Sequence, residues 1–313
     1  MSGRSRQARR AAAAATMATR RLLLRLLLRL PLLAAPAAYA ASAPRLVTLG
    51  GTVTEIVYAL GAGDQVVGID DSSFYPPAAR RLPRVGYYRG FAVEGVVALG
   101  PDLVFASDQA GPPHALAQLR QLGKTVVIVP SSPTVEALTQ AIDVVAQALH
   151  LAPRGRELAA EVREGVARAR KRAASASATR VLLLSSHTGR LQAAGRETTG
   201  NAMIELAGAT NVFARQNGYS EISAEAVAAL RPDAIVTTTM SLRAFADVAA
   251  FAAQPGISVT PAARNRRIVV IDDLLLLGFG PRVPEALRQL QDGLQSRPHA
   301  LHHFHADRRS RHA

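Results

Sequence analysis

Twelve residues of this chain recur, ungapped, in its second half. Glu94–Phe105 (EGVVALGPDLVF) aligns with Glu225–Val236 (EAVAALRPDAIV) at six identical positions, including both Pro-Asp pairs. Each copy predicts a short helix, a Pro-Asp turn that stops it, and an apolar, β-branched strand. The flanks match too. Arg45–Gly50 and Arg180–Ser185 read as a buried strand opening each half. Helices over Thr54–Gly63 and Asn201–Thr210 follow, with Thr54 and Asn201 as N-caps and Gly61 and Gly208 as stops. Further strands are expected at Val126–Val129 and Ile268–Ile271. Continuous apolar strands alternating with amphipathic helices imply parallel sheet covered on both faces. The fold class is therefore α/β, with two similar lobes, each a mostly parallel sheet flanked by helices. The repeat is too long for a solenoid.

A long rigid helix is expected to bridge the lobes. After a helix over Val135–His150, Pro153 begins another that runs to about Arg172, its polar register nearly continuous with Leu158, Val162 and Val166 as apolar spacers. So thin an apolar stripe suits a crossing helix. The divisions are then a first lobe at 44–150, the bridge at 151–176, a second lobe at 177–296 and a tail at 297–313. That tail holds five of the eight histidines and is expected to be disordered.

Residues 1–40 read as a signal peptide for export to the periplasm. Arg20 and Arg21 precede an apolar run, and Ala38-Tyr39-Ala40 offers a cleavage site. Met17 is the better start on length. Arg25 and Arg29 break the run, which argues against a permanent span.

The formal charge of +14 is mostly terminal: eight arginines and no acid lie in residues 1–40, and four arginines with one acid follow from Arg297. The body is close to balanced, which weakens a nucleic-acid reading. With no cysteine there is no disulfide framework, thiolate metal site or cysteine nucleophile. Nucleotide-binding, elbow-serine and zinc-protease motifs are missing. Ser186 beside His187 leaves an exported serine hydrolase as the alternative from another class, without an ordered acid partner.

Three blocks carry a resemblance: Val85–Leu99 (VGYYRGFAVEGVVAL), His187–Gly195 (HTGRLQAAG) with Asn201–Gly208, and Ala263–Arg282, which ends LGFGPR. Together with the lobes, bridge and leader they resemble the haem-binding members of the solute-binding proteins of ABC importers with a rigid-helix hinge, over roughly Pro44–Leu294. The resemblance implies that Tyr87 ligates ferric haem, with Tyr88 as the rival. A phenolate suits Fe(III), but a free phenol ionises only near pH 10, so it needs a cation or the iron itself. Arg89, two residues along an extended segment, would share the side of Tyr87 and stabilise the phenolate or pair with a propionate. His187 is a candidate second iron ligand, and Arg243 and Arg282 are candidate contacts to the haem. Glu94 and Glu225, equivalent in the repeat, would dock on an inner-membrane ABC permease with its ATPase subunits. The protein would be a monomeric carrier, not an enzyme. A siderophore or cobalamin carrier is the alternative within the class, and 4% aromatic content argues mildly against it.

Overall fold

The computed structural model describes residues 43–174, 179–186 and 190–295. The leader, His187 and the tail lie outside them. From Pro44 the first lobe runs β1 (Leu46–Leu49), α1 (Gly51–Ala59), β2 (Val66–Ile69), α2 (Val93–Ala98), β3 (Leu103–Ser107), α3 (Pro113–Gln121), β4 (Thr125–Val129) and α4 (Val135–Ala148). Its sheet, ordered β2-β1-β3-β4, is wholly parallel. The bridge follows as α5 (Ala152–Ala173).

The second lobe runs β5 (Arg180–Ser185), β6 (Gln192–Ala194), α6 (Thr199–Leu206), β7 (Thr210–Asn211), β8 (Tyr219–Glu221), α7 (Ala224–Leu230), β9 (Ala234–Thr238), α8 (Val248–Ala252), α9 (Pro261–Arg264), β10 (Ile268–Ile271), α10 (Asp273–Leu277) and α11 (Val283–Gln295). Its sheet is ordered β10-β9-β5-β6-β8, with β7 also on β5. Pairings among β10, β9, β5 and β7 are parallel, whereas β5–β6 and β6–β8 are antiparallel. The sheet is thus mixed. The short β6 and β8 are half-polar and carry no apolar run that marks a strand in the sequence.

The sequence repeat is also a structural repeat. Asp102 accepts the backbone N–H of Arg45 at 2.8 Å, and Asp233 accepts that of Arg180 at 3.2 Å. In each lobe the same arginine donates Nη2 to the last turn of the preceding helix, at Leu99 O (2.7 Å) and Leu230 O (2.9 Å). The Pro-Asp turn thus ties a helix end to the strand that opens its lobe.

Gly61 (φ +85°) and Gly208 (φ +80°) end their helices in the left-handed region, as expected. The expected N-caps are displaced. Helix α1 begins at Gly51, so Thr54 sits inside it, its hydroxyl buried between Thr48 (2.7 Å) and Ser73 (2.6 Å). Thr198 caps α6 by accepting the N–H of Asn201 at 3.1 Å. The Asn201 side chain instead accepts from Asn211 and donates to Glu205.

Alternate residues of the central strands enter different cores. Leu46, Phe105, Val181, Leu183 and Val236 join one continuous apolar cluster that includes Leu158, Val162 and Val166 of α5 and Leu287 and Leu290 of α11. Val47 and Val104 face a second cluster confined to the first lobe, and Leu182, Leu184 and Ile235 a third in the second. Both lobes therefore share one core along the bridge.

The buried row of α5 is Gly155, Leu158, Ala159, Val162, Gly165, Val166 and Ala169, the i, i+3, i+4 pattern of a single face. Its two glycines seat it in opposite lobes. A Cβ on Gly155 would lie 2.4 Å from the Cβ of Ala146 in α4, and one on Gly165 would lie 2.6 Å from the ring of Pro284 in α11. Gly165→Ala gains about 1 kcal/mol of helix propensity. Against a rigid proline ring it should cost about 1–3 kcal/mol in overpacking. Thermal unfolding should therefore show a lowered Tm for Gly165→Ala; a raised Tm would mean that α11 does not seat on that glycine.

Candidate binding site

The loop bearing Tyr87 grows out of the carboxyl end of β2. Ile69 N donates to Pro83 O, Val85 N to Ile69 O and Asp71 N to Gly86 O, each at 3.0 Å, so residues 83–86 extend the sheet. Gly86, at φ +95°, then turns the chain in a conformation that strains any other residue. Gly90 N closes a tight turn on Tyr87 O at 2.8 Å, and Ala92 N returns to Val85 O at 3.1 Å. Buried Val85, Phe91 and Val93 anchor both limbs in the first-lobe core.

The two tyrosines separate as their neighbours dictate. Tyr88 is half-buried against that core, and its carbonyl accepts the N–H of Gly111 at 3.0 Å. Tyr87 is 49% exposed, its ring edge-on to Tyr88 at 4.7 Å between centroids. The segment is a turn, so the extended-chain expectation for Arg89 fails: its Nε donates to the Tyr88 hydroxyl at 3.0 Å and its guanidinium lies 5.4 Å from the Tyr88 ring centroid.

Beneath the loop lies Asp70, fully buried. Its carboxylate accepts Gly50 N (3.1 Å), Ser72 N (2.9 Å), Ser72 Oγ (2.6 Å) and Ser73 Oγ (2.6 Å). Four neutral donors stand in for water around a buried anion. Sequence reasoning missed Asp70; the Asp-Asp-Ser-Ser run directly after a buried strand is the signal that marks such a turn.

Burial, then the neighbouring Tyr88, push the Tyr87 phenol up to about 12; Arg89 pulls the other way, and the charge of Asp70 adds a smaller upward push. At neutral pH the side chain is therefore a neutral phenol.

In the second lobe, Arg243 stands exposed on the 3-10 turn Ser241–Ala244 after β9. Asp273, the first residue of α10, holds that turn by accepting Met240 N at 2.7 Å, and the Thr238 and Ser241 hydroxyls bond each other at 2.7 Å. Ser241 also accepts the N–H of Ser186 at 2.9 Å. The turn is thus fastened to Ser186, the residue that follows β5.

Arg282 does not stand free. Its Nε donates to Glu55 Oε2 at 3.1 Å and its Nη2 to Glu55 Oε1, and its guanidinium carbon lies 3.6 Å from the centroid of Tyr75. Glu94 and Glu225 are exposed in the first turns of the equivalent helices α2 and α7. The Glu225 carboxyl is lowered, first by its own backbone N–H and then by Ser223. Among the described residues no three His, Asp or Glu gather into a metal site.

A family model described as a periplasmic binding protein matches residues 46–275. The chain belongs to that family. Among solved structures, this periplasmic binding protein is similar to the periplasmic heme-binding protein RhuT from Roseiflexus sp. RS-1 in apo form. The identity is 40%, 80% of this chain and 98% of that one are covered, and the TM-score is 0.77. It is also similar to the periplasmic heme-binding protein BhuT in complex with two hemes, at 40% identity, 80% and 99% coverage and a TM-score of 0.75. Among curated proteins, the vitamin B12-binding protein of Yersinia pestis (strain Pestoides F) is 31% identical over 201 residues, 64% of this chain and 71% of that protein. All three relatives are named as binding proteins.

The raised Tyr87 phenol is directly measurable. With 13C-ring-labelled tyrosine in the cargo-free protein, the Cζ resonance lost in Tyr87→Phe should stay at its protonated position through pH 10, where an ordinary phenol is half-ionised. A titration midpoint at or below 10 would contradict this electrostatic description.

Proposed function

We propose that this periplasmic binding protein captures ferric haem by tyrosinate ligation at Tyr87 and passes it to an inner-membrane ABC permease. The observation that carries the reading is the turn at Tyr87–Gly90: a tightly strapped loop holds Tyr88 against the core and presents Tyr87 to solvent. The likeness to two haem-binding structures at 40% identity supports the cargo.

A neutral phenol is a weak ligand. Ferric iron supplies the cation that makes ionisation of Tyr87 favourable, so the site would select a trivalent centre over an uncharged one. Arg89, whose Nε is taken by the Tyr88 hydroxyl, is proposed to pair with a propionate through its remaining N–H groups. Arg243, on a turn that Asp273 fixes, and His187, which lies outside the described residues, are proposed as contacts from the second lobe. We assign Arg282 to holding the lobes together, because Glu55 already takes two of its N–H groups.

Delivery is proposed through Glu94 and Glu225. Their equivalent, exposed places on α2 and α7 would meet two like subunits of a permease. Export by cleavage after Ala40, a monomeric carrier and the divisions at 44–150, 151–176 and 177–296 belong to the same proposal. Cobalamin is the second reading, favoured by the Yersinia relative.

Titration with hemin tests the cargo. The wild-type protein should give a high-spin ferric tyrosinate spectrum; Tyr87→Ala should lose it and weaken binding at least about tenfold, or 1.4 kcal/mol. Tyr88→Ala should keep it. Retention of the spectrum in Tyr87→Ala, or binding of cyanocobalamin but not hemin, would overturn the proposal.

A further inference from the structure

One turn of α1 touches both lobes. Gly51 N donates to Ser72 Oγ at 2.9 Å, and that hydroxyl donates to Asp70 at 2.6 Å, so the start of α1 is fastened to the turn beneath Tyr87. Thr52 Oγ1 donates across the lobes to Gly278 O at 2.5 Å. Glu55, one turn on, receives Arg282 from the second lobe through two N–H groups.

This last contact is enclosed. The Glu55 side chain is 3% exposed and that of Arg282 24%. The Tyr75 ring lies along the guanidinium, adding a cation–π contact. The backbones also close tightly: a Cβ on Gly280 would sit 2.9 Å from Glu55 Oε2, and one on Gly51 2.8 Å from Leu274 Cδ1. Parting the lobes here would break both charge-assisted hydrogen bonds and the ring contact together.

We propose that Glu55, Arg282 and Tyr75 form an inter-lobe latch that sets the angle at which Tyr87 faces the second lobe. Glu55 and Arg282 are then positioning residues for cargo capture, acting through α1 and Asp70 rather than by touching the cargo. The bridge joins the lobes along their shared core. The latch adds a polar tie at the edge of that core, whose members Ile56 and Val283 adjoin Glu55 and Arg282 in the chain, so the apolar and polar ties together fix a rotation that one alone leaves free. The part concerning capture rests on the haem reading above; the latch itself does not.

The absence of cysteine makes the test direct. Spin labels at Gln118→Cys and Ser258→Cys, exposed positions in the first and second lobes, report the inter-lobe distance in cargo-free protein. Wild type should give one narrow distribution. Glu55→Met with Arg282→Met removes both charges at once, a change that buried pairs tolerate, and should broaden it roughly twofold. Hemin dissociation from the double variant should speed about tenfold with the tyrosinate spectrum kept. Glu55→Gln should fall between wild type and the double variant on both readouts. Val104→Ala, a cavity variant in the first-lobe core, should lower Tm without moving the distribution. An unchanged distribution in the double variant would overturn the latch. Failure of the wild-type protein to bind hemin would overturn the cargo reading and leave the distance result standing.

Discussion

The apolar face of α5 holds this molecule together. Its buried row packs against one sheet-and-helix layer from each lobe, so a single core runs through both halves. Most of its remaining surface is charged, and among the described residues Arg154 pairs with Glu157 and Glu161. Such exposed pairs add little stability. The apolar stripe and the two glycines that let α4 and α11 approach seat the bridge in both lobes. A shared, close-packed core resists wide hinge motion because it cannot be partly opened without exposing apolar surface. For the proposed haem site, the consequence is that side chains from the two lobes keep their relation before any cargo arrives.

That preorganisation extends to the binding loop. Asp70 carries a charge into the interior and is compensated entirely by backbone and serine donors, which fixes the turn from which the Tyr87 loop departs. Tyr87 itself sits in surroundings that oppose its ionisation. In the proposed site those surroundings would make the phenol a selective ligand: its proton would leave only for a group that returns more electrostatic stabilisation than burial and Tyr88 remove.

Much of the architecture was legible because it rests on local rules. The Pro-Asp turns, the apolar strands and the helix-ending glycines announce themselves in the sequence, and the duplicated Glu-to-Asp block located equivalent elements in both lobes. The displaced caps show where local rules give out. Thr54 has a capping side chain, but tertiary contacts with Thr48 and Ser73 claimed its hydroxyl, and Gly50 took the start of the helix. The β6 and β8 strands were silent because pairing, of β6 on β5 and of β8 on β6, makes them strands, not their own composition. In the site, the exposure of Tyr87 and the burial of Tyr88 followed from neighbouring core residues, whereas the partner of Arg89 depended on a turn. Arg282 was visible as a motif residue, but its partner Glu55 is 227 positions away, a pairing no local pattern encodes.

The central claim is a bond between one phenol and one iron, and a crystal structure of the hemin-loaded protein tests it most directly. The account predicts hemin seated between the two lobes, the Tyr87 oxygen within bonding distance of iron, and Arg282 still on Glu55. Hemin lying outside the lobes, or iron held by another side chain with Tyr87 turned away, would contradict it.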